Sequence, residues 1–533
     1  MTAADSAADE VLTADVLVLG GGPAGAWAAL SAASAGARVV LADKGWLGTS
    51  GAAAAGGNNL WLVPPGAERE RSVQQRFEAG GRLSDPRWMR RVVVETYDRL
   101  EDLSRFGYPF PRDERGKERR SSVQGPEYMR RMRRQVQRAG VTVLDHSPAL
   151  ELLMDDDGRA RGAAGLQRQH GMRSWQVVAG AVVAATGGCA FLSGAYGLDV
   201  CTGDGQLMAA ELGAELSGME FSAVYALSHA AGNHTKGLML QFASYYDATG
   251  ELLDVGGPRE ARGVVARLIA EGRPVFARLD RMPVELRRAA RTAQPNYFLP
   301  LDKAGIDPFT DRYPLRLVLE GTVRGTGGLR LVSDECETTV PGLFAAGDAA
   351  TRELVTGAIS GGGSHNGAWA ISSGTWAGAG AARHALSAAR VGPVRPAGTI
   401  GLRPVGTAAP LLPADVVRTV QEHIVPPERT LLRTGPALAA SAVALDGVWE
   451  WARSGLAGSG RDRLRAREAA AVLANARWVQ AAALARTESR RVHRRMDHPA
   501  ADAALQHRLI VSGLDDVSVR PEGPARLPVG AAS

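Results

Sequence analysis

Residues 15 to 42 carry the sharpest pattern in the chain and read as strand, glycine turn, helix, strand. Val16 to Leu19 is an unbroken apolar run of strand length. Gly20, Gly22 and Gly25 follow in GxGxxG spacing around Pro23 and Ala24, then an Ala-rich helical stretch, then a second strand from Arg38 to Ala42 ending at Asp43. Between a strand and a helix, that spacing predicts a dinucleotide-binding turn. The glycines make the tight bend, admit a pyrophosphate to the backbone and let helix pack on strand. The helix N-terminus then faces the phosphates. Asp43, 18 residues after Gly25, can accept hydrogen bonds from a ribose, and an acid rather than an arginine there disfavours a 2′-phosphate.

Further along, helical stretches alternate with strands. "VTVLDHSPALELLMDDDGRARGAAG" predicts a strand and then a hairpin turn at Asp157–Gly158, and "WQVVAGAVVAATGG" predicts strands ending at Thr186, Gly187 and Gly188. Val177 to Leu198 is uncharged and long enough to resemble a membrane span. Its glycines and its β-branched start favour a buried strand followed by a loop. Residues 206 to about 328 lack this glycine punctuation and are expected to be an inserted domain. "TTVPGLFAAGDAA" adds a buried strand, Leu343 to Ala346, with Asp348 at its C-terminal end, where open parallel sheets bind ligands. Val391 to Pro413 reads as a Pro- and Gly-rich linker, and residues 415 to 508 have helical periodicity.

At 533 residues the chain exceeds one ordinary core, so two or three domains are expected. A net charge of +6 is thin over this length and points away from nucleic acid. The densest basic run, "MRRMRRQVQR" (Met129 to Arg138), reads as a solvated helix face. Cys189, Cys201 and Cys336 lie far apart with no CxxC spacing, which argues against a disulfide scaffold, an internal Cys-ligated iron–sulfur cluster or a metal site. The polar, acidic start has no signal-peptide pattern, so a soluble cytoplasmic protein without a membrane span is expected.

Several blocks, in order, resemble the flavoprotein-subunit superfamily of succinate dehydrogenase, fumarate reductase, L-aspartate oxidase and adenylylsulfate reductase. They are "LVLGGGPAGAWAAL", "DKGWLGTSGAAAAGGNN", "VVAATGG", "TGDGQLMAAELGAELSGMEF", "TTVPGLFAAGDAA" and "LARTESRRVHRRMDHP", the last like the family helix that packs on the active site. The resemblance spans about residues 12 to 515 and implies an α/β protein. Its parts would be a Rossmann-like FAD-binding domain (12–205 and 329–390), an inserted α+β capping domain (206–328), a linker (391–414) and a C-terminal helical domain (415–515). By position, Gly20, Gly22, Pro23, Ala24 and Gly25 would hold the pyrophosphate, and Asp43 and Lys44 would serve the adenosine end. Ser50, Gly51 and Gly57 would lie along the isoalloxazine, with Ala149 at the adenine. Thr186, Gly187, Asp204, Gly347, Asp348 and Ser364 complete the implied FAD contacts.

The departures from the family are as informative. Gly51 stands where succinate dehydrogenases and fumarate reductases carry the histidine that bonds FAD, so non-covalent FAD is expected. Tyr225 stands at the family's substrate histidine. Thr356 and Ser360 replace a histidine and an arginine in "TGAISGGG", and serine has neither the charge nor the fork of a carboxylate clamp. Fumarate or succinate is therefore not the expected substrate.

The family's proton-carrying arginine corresponds to Arg259 by motif and to Arg262 by spacing. His365, after the glycine run, is placed to face the flavin and has a suitable ordinary pKa for a base. His229 and His234 fall where the cap should meet the cleft, while Arg486, Glu488 and Arg490 suggest an ion-pair network. The implied activity is hydride transfer between FAD and a small organic molecule. Oxygen or a ferredoxin or iron–sulfur protein would take the electrons, and a homodimer is compatible. Two alternatives stand beside it: an adenylylsulfate-reductase-like flavoprotein with an iron–sulfur partner, and a degenerate flavoprotein without turnover.

Overall fold

The computed structural model describes residues 8–49, 51–235, 238–360, 364–387, 391–405 and 410–523, without the side chains of Pro258 and Arg259. β1 (Glu10–Leu19) runs through a glycine turn into α1 (Pro23–Ser34) and returns as β2 (Val39–Ala42). A short ribbon pairs β3 (Gly57–Asn59) with β4 (Ser122–Gln124), across α2 (Ala67–Ala79) and α3 (Pro86–Arg105). α4 (Gly125–Arg138) buries Tyr128, Met129, Met132 and Val136 and turns most of its arginines outward, Arg130 and Arg131 pairing with Glu127. β5 (Thr142–Leu144) then leads into the meander β6 (Ala149–Met154), β7 (Ala160–Gln167) and β8 (Arg173–Ala184).

β5, β2, β1 and β8 are parallel neighbours. β7 covers β8 from Arg173 to Val178, and β15 (Leu343–Ala345) pairs in parallel beyond it, at Val182 to Ala184. The near-continuous Val, Leu and Ala content of these strands follows from burial on both faces. The uncharged segment that begins at Val177 is the buried end of β8 followed by a loop, and among the described residues no helix is long and apolar enough to cross a membrane.

After α5 (Asp204–Ala210) and the two-residue β9 (Leu216–Ser217), the chain leaves the main core. A separate antiparallel sheet forms in the order β10 (Tyr225–His229), β13 (Tyr313–Leu319), β12 (Phe276–Arg278), β11 (Ser244–Tyr246). α6 (Pro258–Ala270), α7 (Val284–Ala293) and α8 (Pro295–Lys303) belong to the same body. It has its own apolar core, including Val265, Leu279, Tyr297 and Phe298, as an inserted domain requires. The chain returns through α9 (Gly321–Arg324) and β14 (Gly328–Leu329), which pairs with β9 at the base of this cap.

β15 is followed by α10 (Glu353–Thr356) and α11 (His365–Ser387). Within the Pro- and Gly-rich stretch after α11, β16 (Arg395–Pro396) pairs with β6, and Arg403 meets the buried Glu151 at 2.6 Å. α12 (Pro413–Ile424), α13 (Pro427–Thr430) and α14 (Gly435–Gly455) surround α15 (Arg461–Ala485), which is buried along most of its length. The expected helix at Leu484 to Pro499 is a correction: α15 ends at Ala485 and the chain from Arg486 is irregular, with Arg491 at φ +55°. The reason is electrostatic. Arg486, Glu488 and Arg490 are all buried and turn toward each other and toward Glu220, at 2.6–2.9 Å, a convergence that helical spacing would spread apart. The hairpin β17 (Leu509–Ser512) and β18 (Ser518–Pro521) then joins β9 and β14 in one four-stranded sheet.

Candidate active site

The C-terminal ends of β1, β2, β8 and β15 open on one cavity of about 520 Å³. At Gly20 (φ +105°) the chain turns sharply into α1, and a Cβ on Gly25 would lie 1.8 Å from the Gly20 carbonyl oxygen. Only glycine permits that approach of helix to strand. Gly22 differs, because a Cβ there would meet nothing within 4 Å and would project into the cavity. α1 has no side-chain cap, so its first-turn amides are left for a ligand. The Asp43 carboxylate, buried at the end of β2, accepts from the amides of Gly21 and Gly45. The Thr186 hydroxyl borders the same space without a hydrogen-bond partner among the described residues. This is a polar cradle fitted to a diphosphate and a ribose.

Beside it, Lys44 sits 2.9 Å from Asp204 and 2.7 Å from Glu468. Burial alone would lower the Lys44 ammonium pKa, but the two carboxylates override it and hold the pKa above its ordinary value. Gly51, Gly57 and Ala149 also line the cavity, and Gly51 presents no side chain to it. Gly187, Gly347 and Asp348 close the strand-end side. Burial raises the Asp348 pKa and the adjacent Arg352 guanidinium opposes the rise.

The far end of the cavity lies under the cap. Arg262 reaches into it from α6 and donates to the Tyr225 carbonyl at 3.4 Å. Its surface is wetted by the cavity, yet protein surrounds it, and the desolvation lowers its pKa while Glu320 pulls the other way. Arg324, at the end of α9, approaches the buried Glu320 at 3.5 Å. Arg352 is fully buried. It pairs with Asp348 and donates to the carbonyls of Thr322 (3.3 Å), Val323 (3.0 Å) and Gly325, so it fixes the segment that presents Arg324. Leu227, Leu238, Leu240 and Val323 form an apolar wall, with Thr235, Gln241, Tyr245, Gln294 and Asn366 as polar groups.

Several sequence-based assignments change here. Tyr225 does not line the cavity: its hydroxyl donates to the Val425 carbonyl at 2.9 Å and pins the cap to the end of α12. His365 is buried on the other side of the α11 start, edge-on to Trp61, and burial lowers its pKa to about 3. Ser364 likewise faces Arg76 (3.3 Å) and Trp61. The helical turn at this point aims Asn366, Gly367 and Ala370 at the cavity, and residues 364 and 365 away from it. His234 and His229 pack in the cap's aromatic core against Tyr297, and Thr235 is the residue that reaches the cavity. Gly25 lies behind the cradle, where it sets the packing of α1. Ser50 and the Arg259 side chain fall outside the described residues, as does part of the glycine run before Ser364. Arg324 and Arg352 were missed. The signal for Arg324 was "EGTVRGTGG", a cation set inside a glycine-rich turn.

The sequence profile of the FAD binding domain family matches residues 15–365, more than half of the chain. The chain belongs to that family. This flavoprotein is 29% identical over 555 aligned residues to the L-aspartate oxidase of Streptomyces coelicolor, covering 95% of this chain and 92% of the relative. A fumarate reductase (CoM/CoB) polypeptide of Methanothermobacter marburgensis is 29% identical over 40% of this chain and 42% of its own. In fold, the flavoprotein is similar to a mutant of the E. coli quinol fumarate reductase FrdA, with a TM-score of 0.79 at 20% identity, covering 98% of this chain and 99% of that one. It is also similar to the adenylylsulfate reductase of Archaeoglobus fulgidus, with a TM-score of 0.76 at 18% identity over 98% and 97%. The protein is thus an FAD-dependent oxidoreductase, and its cradle is the place that fits the cofactor.

Proposed function

We propose that this flavoprotein moves hydride between non-covalent FAD and a small organic substrate held between the cradle and the cap, and that the substrate is neither fumarate nor succinate. The observation that carries the reading is the continuity of the cavity from Gly22 and Asp43 to Arg262 and Arg324. FAD held there would supply the capacity to take a hydride from a C–H bond or to give one to a polarised alkene. The chain's own residues do the rest. Gly20 to Ala24 and Asp43 would bind the cofactor, Gly51 leaves the flavin loop without an attachment side chain, and the cap covers the far end of the cavity. Arg262 and Arg324 orient an anionic group, and the buried Glu320 holds the Arg324 guanidinium in place. The Thr356 hydroxyl is buried and donates to the Arg352 carbonyl at 3.0 Å, so it supplies no substrate contact in place of the family's histidine.

The electron acceptor in this reading is oxygen or a separate iron–sulfur or ferredoxin-type protein, and the protein works in the cytoplasm. Purified protein should be yellow and release intact FAD on acid precipitation. Photoreduction followed by rapid reoxidation in air would identify an oxidase, and slow reoxidation a protein acceptor. Colourless protein that cannot be reconstituted with FAD would overturn the reading.

A further inference from the structure

Three tryptophans stand in a row between the cofactor cavity and the outer surface. Trp369 and Trp376 lie seven residues apart on α11, so they share one face of the helix, about 10.5 Å apart along its axis. Trp88, from α3, fills the gap between them. Its ring lies edge-on to both, with centroids 5.9 Å from Trp369 and 5.7 Å from Trp376, the spacing of aromatic rings in contact. The inner end of the row is fastened to the cavity: Trp369 is fully buried, and its indole N–H donates at 2.9 Å to the carbonyl of Gly347, which lines the strand-end wall. The outer end reaches water. Trp376 is partly exposed, and its indole N–H donates to the Glu95 carboxylate at 2.9 Å. Arg99 holds Glu95 at 3.0 Å. Arg91 lies over both outer rings, 4.6 Å from the Trp88 centroid and 4.1 Å from that of Trp376, with Asp334 at 3.5 Å.

We infer that Trp369, Trp88 and Trp376 form a one-electron path from the surface to the cofactor cavity, by which light absorbed by bound FAD draws electrons from a thiol outside. The inference rests on FAD binding and goes beyond hydride transfer. Indole is among the most readily oxidised side chains, and photoexcited oxidised flavin is a one-electron oxidant. Trp369 gives one electron to the excited cofactor and is refilled from Trp88, and Trp88 from Trp376. Oxidation makes the indole N–H of Trp376 acidic, and its proton passes along the existing hydrogen bond to Glu95. The Arg91 guanidinium disfavours a positive ring beneath it, so the vacancy settles on Trp376 as the neutral, deprotonated radical. That proton transfer slows return of the electron. A thiolate in solution then gives an electron to Trp376, Glu95 returns the proton, and two thiyl radicals join as a disulfide. Each passage moves one electron inward and oxidises one thiolate.

The test is a blue-light flash on the purified, FAD-loaded protein, followed by transient absorption, with flavin content read from the visible spectrum of the same samples. The parent should show a long-lived neutral tryptophanyl radical, and steady blue light with 2-mercaptoethanol should bleach the flavin. Trp376→Phe, at a partly exposed position, and Trp88→Phe should each lose the long-lived radical while keeping FAD. Glu95→Gln leaves the rings in place and removes the proton acceptor, so the radical should appear in its protonated form and recombine sooner. Trp451→Phe, at an exposed site on α14 outside the row, should behave as the parent. A parent without a long-lived tryptophanyl radical, a Trp376→Phe or Trp88→Phe protein with parental radical yield and lifetime, or loss of the signal in Trp451→Phe would each overturn the inference. A working row in a protein that turns over no substrate would leave it standing and count against the proposed hydride transfer.

Discussion

Gly25 and Gly22 differ by three positions and should fail in opposite ways when given a methyl group. In Gly25→Ala the new Cβ would sit 1.8 Å from the Gly20 oxygen and 2.9 Å from its carbon. Comfortable contact lies near 3.5 Å, so α1 must lift from β1 by more than an ångström. Overpacking of this kind costs about 1–3 kcal/mol, and backbone against backbone places it at the upper end. Alanine returns about 1 kcal/mol of helix propensity, leaving a net loss of about 2 kcal/mol. For a domain of 150–250 residues that corresponds to a fall in Tm of about 4–8 °C, to be measured by thermal unfolding of flavin-stripped protein. Gly22→Ala, at φ −72° with open space beyond the Cβ, should lower the same Tm only by the weaker capping of alanine, about 1 kcal/mol or less. Its methyl occupies the approach of the pyrophosphate, however, and FAD affinity should fall at least about tenfold, or 1.4 kcal/mol. A Gly25→Ala protein that melts with the parent, or a Gly22→Ala protein that keeps parental FAD affinity, would refute this account of the cradle.

Arg352→Met should destabilise the protein by about 3–5 kcal/mol in urea unfolding, because it strands the buried Asp348 carboxylate and frees three carbonyls. A loss under 1 kcal/mol would show that the pair is dispensable. His365, whose pKa burial lowers to about 3, refuses in the folded state a proton that the unfolded chain binds below about pH 6.5. Stability is therefore fully present above that pH and falls on acidification, by up to about 1.4 kcal/mol per pH unit. His365→Leu should flatten the stability profile between about pH 6 and pH 4 by about one proton, and an unchanged slope would count against a buried neutral imidazole. Tyr225→Phe should cost about 1 kcal/mol through the lost bond to Val425 and leave flavin reduction by substrate unaltered. A collapse in the reduction rate would return Tyr225 to the chemistry.

The cradle was legible because its residues are constrained by backbone geometry within a short span, from Gly20 to Asp43, and such constraints are written in local spacing. The cap end was harder to read. Arg324 and Arg262 are 62 positions apart and line one cavity only through the fold of the inserted sheet. His365 misled for a simple reason. A histidine beside a glycine run looks catalytic, yet one step along a helix turns a side chain by about 100°, enough to pass the cavity to Asn366 and leave His365 against Trp61. The irregular backbone after Ala485 was equally hidden, since alternating arginine and glutamate fit a helix until their burial is known.

The four-stranded sheet at the base of the cap has a consequence for the order in which the protein is made. β9 and β14 are the two tethers by which the cap leaves and rejoins the main body, and β17, beginning only at Leu509, is hydrogen-bonded to β9. On a translating ribosome, which adds about 5–20 residues per second, domains fold as they emerge. The cap, with its own core between Leu227 and Leu315, is complete long before Leu509 is joined to the chain. A nascent chain halted in α15 would thus carry a finished cap on an unfinished hinge. A truncation before Leu509 is therefore expected to weaken cofactor retention from a distance, read as the flavin absorbance that stays with the protein through gel filtration.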